Sequence, residues 1–127
     1  MKKLLILLFS ILISFNSYGE WTKVSVAEGY GHSFYLDFAS IKKNNGYVYY
    51  WQLIDYLKPT EWGDLSSKSL FEVNCNIPYK ERRIAASYYT LPMGKGSPST
   101  TSNTTFEWNY AHPGSSMELI LGLVCKK

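Results

Sequence analysis

The chain has 127 residues, 17% of them aromatic, and a formal net charge of +3. That length fits one domain, and so small a charge without a clustered basic face gives no electrostatic footprint for nucleic acid. Two cysteines and two histidines, none close to another in sequence, fall short of the four spaced ligands a structural zinc site needs. No metal or cofactor is therefore expected.

The first segment reads as an export leader. Lys2 and Lys3 precede an apolar run over residues 4–15, and Ser17 and Gly19 supply small residues before Glu20. Charge, a short apolar run and small residues at −3 and −1 form the pattern of a cleaved signal peptide over residues 1–19. The run is shorter than the ~20 residues of a comfortable membrane span, so no stable span is expected after cleavage. No cysteine lies near the cleavage point to take a lipid. Residues 20–127 are then one exported domain, and two lysines leave with the leader.

Aromatic and β-branched residues favour strands. Strands are predicted at residues 21–26 and 33–37, separated by a turn over 28–32, with a helical turn over 37–41 that Asp37 can cap. Asn44-Asn45-Gly46 is a hairpin signal. Residues 46–57 form the longest strand, apolar on both alternating faces. Tyr47, Tyr49, Trp51 and Leu53 share one face, and Val48, Tyr50 and Ile54 the other. Such a strand should be central. A loop at 58–64 leads to a strand over 66–75, with Ser69, Phe71, Val73 and Cys75 on one side. After a turn at 76–78, residues 80–91 give another strand, with Ile84, Ala86 and Tyr88 on one face. The short basic stretch Lys80-Glu81-Arg82-Arg83 reads as a solvated strand end. Residues 92–105, rich in Gly, Ser and Thr, read as a mobile loop, and 106–108 as a short edge strand.

The period then changes. Ser115 and Glu118 have capping-box spacing. Met117, Ile120, Leu121, Val124 and Cys125 follow on one helical stripe. Exported cysteines meet an oxidising compartment, and two of them allow one intramolecular pairing, Cys75 with Cys125. That bond requires the apolar side of the helix to lie on the sheet face of Phe71 and Val73. The fold class is α+β: an antiparallel sheet with a C-terminal helix disulfide-bonded to one face. Small Ala86 would give the helix room to approach.

In this order the chain resembles the surface-adhesin protein E domains of bacterial envelopes. The resemblance is carried by Phe34-Tyr35-Leu36-Asp37 with Ser40-Ile41, the aromatic hairpin strand, residues 67–75, Tyr88-Tyr89 with Gly94 and Gly96, and Leu123-Val124-Cys125. It implies a curved sheet with the helix tied to its concave face, and a function in attachment to host extracellular-matrix proteins. A protein partner is expected, from host matrix or from the envelope. The alternative is a periplasmic accessory or structural protein. Localisation is periplasmic, or at the cell surface.

Catalytic chemistry is largely missing. His32 stands beside Ser33 and near Asp37, but no G-x-S-x-G elbow accompanies them. Gly94-Lys95-Gly96-Ser97 lacks the spacing of a phosphate loop. Asp37, Asp55, Glu61, Asp64 and Glu72 are scattered, so no acid–base pair is assigned. No enzyme is expected. The aromatics carry the binding expectation. Eleven tyrosines and four tryptophans exceed what so small a sheet easily hides, and exposed Tyr and Trp are enriched at interfaces. Trp62 in its loop, and Tyr47, Tyr49 and Trp51 on one strand face, are the candidate binding residues for a protein or glycan.

Overall fold

In the computed structural model, which describes residues 20–26 and 31–126, the chain turns at Asn45-Gly46 with both residues at positive φ, 51° and 84°. Two positive φ values in a two-residue turn match the twist of the flanking strands. The turn joins β3 (Lys42–Asn44) to β4 (Tyr47–Asp55). Before it come β1 (Thr22–Val26), β2 (Ser33–Leu36) and a 3-10 turn, Phe38–Ser40, which Asp37 caps by accepting from the Ala39 N–H at 3.1 Å. After it come β5 (Ser66–Asn74), β6 (Lys80–Tyr89), a second 3-10 turn at Pro92–Gly94, β7 (Thr100–Ser102), β8 (Asn109–Tyr110) and the helix α1 (Ser116–Lys126). The leader read at residues 1–19 lies outside the described residues, as does most of the turn read at 28–32.

The strands form one open antiparallel sheet in the order β1-β2-β4-β5-β6-β7. β4, β5 and β6 are its long middle strands. The free side of β4 is shared by β2, along Gln52 to Asp55, and β3, along Tyr47 to Tyr49. The free side of β6 is shared in the same way by β7 and β8.

The helix covers one face. Ile120, Leu121 and Val124 bury themselves against Leu36, Val48, Tyr50 and Val73, each such aliphatic side chain contributing roughly 1.5–3 kcal/mol. The Ser115 hydroxyl accepts from the Glu118 N–H, and the Glu118 carboxylate accepts from the Gly114 N–H, both at 3.1 Å. These contacts satisfy donors that the helix itself cannot. Cys75, just past β5, is bonded to Cys125 in the last turn of α1.

Three local expectations are corrected. Ile84 is an extra residue on β6, because Ala85 pairs with Leu70 while Arg83 pairs with Phe71. A bulge of this kind resets the alternation: Ala86 and Tyr88 share a face, but Ile84 is unpaired. Ala86 is buried yet does not belong to the cluster around the helix. Secondly, Lys80–Arg83 is not a solvated end. Glu81 is only 8% exposed and accepts from the Tyr50 hydroxyl at 2.6 Å. Arg83 donates to the Tyr88 hydroxyl and lies 4.1 Å from the centroid of Phe106. Pairing with β5 carries the stretch into the sheet and divides its side chains between the two faces. Thirdly, the edge strand read at residues 106–108 lies further on, at Asn109–Tyr110, where Lys80 and Glu81 offer the pairing.

The segment after β6 is also more ordered than its composition suggests. Asp55 accepts from the Met93 N–H at 2.9 Å, and the Ser66 hydroxyl accepts from the Gly94 N–H at 2.8 Å while donating to the Leu91 carbonyl. Ser99 binds Asp64 and the Tyr88 carbonyl. The turn thus folds back over β4 and β5.

Candidate binding face

With the helix on one side, the alternation of β4 sends Tyr47, Tyr49, Trp51 and Leu53 to the other. Register places Glu72 beside Tyr49, Leu70 beside Trp51, and Lys68 beside Leu53. On β6, Arg82 then falls beside Glu72, Ala85 beside Leu70, and Ser87 beside Lys68. The result is three cross-strand rows, Tyr49–Glu72–Arg82, Trp51–Leu70–Ala85 and Leu53–Lys68–Ser87, of which the middle one is apolar and the outer two carry the charged groups.

At one end of this face the rings meet the cations. Tyr47 stacks on Trp108 with centroids 5.7 Å apart. The Arg82 guanidinium lies 4.5 Å from the Trp108 centroid, and Lys80 Nζ lies 5.2 Å from it and 5.9 Å from that of Tyr110. Cation–π contacts of this kind hold both partners in place. Glu72 organises its own row: it accepts from Arg82 Nε at 2.6 Å and from the Tyr49 hydroxyl. The hydrogen bond to Glu72 raises the Tyr49 phenol above its ordinary range, so Tyr49 stays a neutral donor. Tyr110 is 58% exposed.

At the other end lies a groove of about 690 Å³. Trp21, Trp51 and Tyr89 supply its aromatic surfaces, Lys68 and Lys95 its cations. Asp37, Ser87 and Met93 complete it, the last carried by the folded-back turn.

The structure therefore brings Tyr47, Tyr49 and Trp51 onto one face and leaves Trp62 apart. Trp62 is 81% exposed in the loop after β4, beside a separate pocket of about 470 Å³ with Thr60, Asp64, Tyr88 and Thr100. Sequence reasoning missed Trp108, Tyr110, Arg82, Trp21 and Lys68 as members of the face. The one available signal was the alternation of residues 66–75 and 80–83, which puts Glu72 and Arg82 on neighbouring strands. Of the residues weighed for hydrolysis, Asp37 spends a carboxylate oxygen on its 3-10 cap, and His32 meets the Tyr56 ring edge-on at 5.0 Å. Among the described residues no three of His, Cys, Asp and Glu are grouped as metal ligands would be, and no helix is long and apolar enough to cross a membrane.

An open antiparallel sheet, stapled to a terminal helix on one side and displaying rings and cations on the other, defines a disulfide-linked α+β module with one face that the helix leaves uncovered. The family model of surface-adhesin protein E matches residues 21–126, and the chain belongs to that family. No curated protein and no solved structure matches the chain.

Proposed function

We propose that residues 20–127, released from a signal peptide at residues 1–19, act as an exported, non-catalytic binding module. In this reading the module attaches to another protein, of host matrix or of the bacterial envelope, through the sheet face opposite its helix. One observation carries the reading: Tyr47, Tyr49, Trp51, Trp108 and Tyr110 are gathered on that face, none of them fully buried. Partly exposed Tyr and Trp backed by Arg are the composition of binding hot spots. Membership of an adhesin family supports the same reading.

The test is capture of matrix and envelope proteins by the mature domain. Trp108→Ala and Tyr110→Ala should each lose the captured partner, while Leu119→Ala on the outer side of the helix should keep it. Loss on Trp62→Ala, with retention on Trp108→Ala, would move the surface to the loop after β4. A periplasmic accessory role is the second reading, favoured by the Cys75–Cys125 bond, which an oxidising compartment such as the periplasm maintains. Protease treatment of whole cells separates the two: digestion supports surface attachment, and protection supports the periplasm.

A further inference from the structure

We propose that the groove between Trp21, Trp51 and Tyr89 is a binding site for a carboxylate-bearing saccharide unit. The inference goes beyond attachment to a protein and rests on the groove alone.

Among the described residues, Lys68 is a cation without a carboxylate partner. Its stem lies beneath the folded-back turn, so closely that a Cβ on Gly94 would fall 2.4 Å from Lys68 Cε. Its ammonium sits 5.0 Å from the Tyr89 centroid. The side chain is half-buried, yet among the described residues the ion pair formed is Arg82–Glu72, and no carboxylate reaches Lys68. A half-buried cation with no carboxylate partner is placed to form a charge-assisted hydrogen bond with an incoming anion. Lys95, exposed on the same rim, adds a second positive charge.

The surface around those cations is largely aromatic. The groove lies on the face of the sheet, where backbone N–H and C=O groups are already spent on neighbouring strands. A peptide that binds by adding a strand needs a sheet edge, and the groove, lying on the sheet face, offers none. What it offers is flat rings, the Ser87 hydroxyl and the Asp37 carboxylate. A pyranose lays its C–H face on an aromatic ring and directs hydroxyl donors outward. Asp37 can accept from those hydroxyls, but it would repel a run of carboxylates. One acid among several hydroxyls is thus the charge pattern that fits. The volume of about 690 Å³ falls within the roughly 300–1,000 Å³ of small-ligand sites.

The test is titration of the mature protein with glucuronic acid and N-acetylneuraminic acid, followed by tryptophan fluorescence and ligand-observed NMR. Glucose serves as the neutral probe and a tetraglutamate peptide as the acidic, non-saccharide one. Saturable binding of either acidic sugar is expected, with glucose weaker by about tenfold or more, the loss of one charge-assisted hydrogen bond. The acidic sugar that binds identifies its source as uronic or sialic. Lys68→Gln should lose about tenfold in affinity. Lys95→Gln should lose less, and its exposed position keeps the test valid if Lys68→Gln fails to fold. Equal binding of glucose and glucuronate, tighter binding of tetraglutamate than of either sugar, or no saturable signal at tens of millimolar would each overturn the proposal.

Discussion

Replacing both cysteines by serine removes the covalent link between α1 and the end of β5 while leaving the buried stripe of the helix intact. The bond joins residues 50 apart in sequence. On the loop-entropy account a closure of that length stabilises the fold by about 4 kcal/mol. In a domain of about 100 residues this corresponds to a fall in Tm of roughly 15–25 °C. The loss acts mainly through the unfolded chain, whereas Ile120, Leu121 and Val124 act in the folded one, and their burial still favours docking. The helix, 11 residues long, is too short to persist in water by itself. Cys75→Ser/Cys125→Ser should therefore fold, melt early, and open first at α1. The assay is thermal melting by circular dichroism together with hydrogen exchange of the peptide covering residues 116–126. A Tm within about 3 °C of the parent, with unchanged protection of that peptide, would refute the reasoning.

Glu81 should make stability depend on pH. Burial, opposed by the Tyr50 hydrogen bond, raises its carboxyl from 4.5 to about 7. The fold therefore favours the protonated acid; that contribution is complete below about pH 4.5 and is lost as pH rises through about 7. The difference corresponds to about 3 kcal/mol. Denaturant unfolding should give lower stability at about pH 8 than at about pH 5, and Glu81→Gln should flatten that slope; a variant that keeps the parent slope contradicts the assignment. Gly94→Ala should destabilise by about 1–3 kcal/mol in the same assay, because Gly94 has φ +64° and Lys68 occupies the space its Cβ needs. An unchanged midpoint would mean that the turn does not lie over Lys68.

The parts of the fold legible in the sequence are those written in local chemistry. The Asn45-Gly46 turn, the Asp37 cap, the Ser115/Glu118 box and the stripe of α1 each depend on residues within a few positions of one another. The two sides of β4 followed from alternation, and the single pairing open to two exported cysteines put the helix on the correct side. What was not legible depends on distant partners. The anchors of the Pro92–Gly94 turn are Asp55 and Ser66, 38 and 28 residues away, and nothing in a run of Gly, Ser and Thr announces them. The bulge at Ile84 moved Glu81 and Arg83 toward the helix side, which a strict period of two cannot foresee. Trp108 entered the candidate face through its stack on Tyr47, a contact between residues far apart in sequence. The candidate face was thus half readable: its β4 rings from periodicity, its cations and far rings only from register.

The proposed attachment is tested most directly by asking which side of the sheet touches the captured protein. A photo-crosslinking residue placed at Tyr110, 58% exposed on the aromatic face, and another at Leu119, 49% exposed on the helix, probe the two sides at similar accessibility. Crosslinks from position 110 and none from position 119 are predicted; crosslinks from position 119 alone would contradict the account.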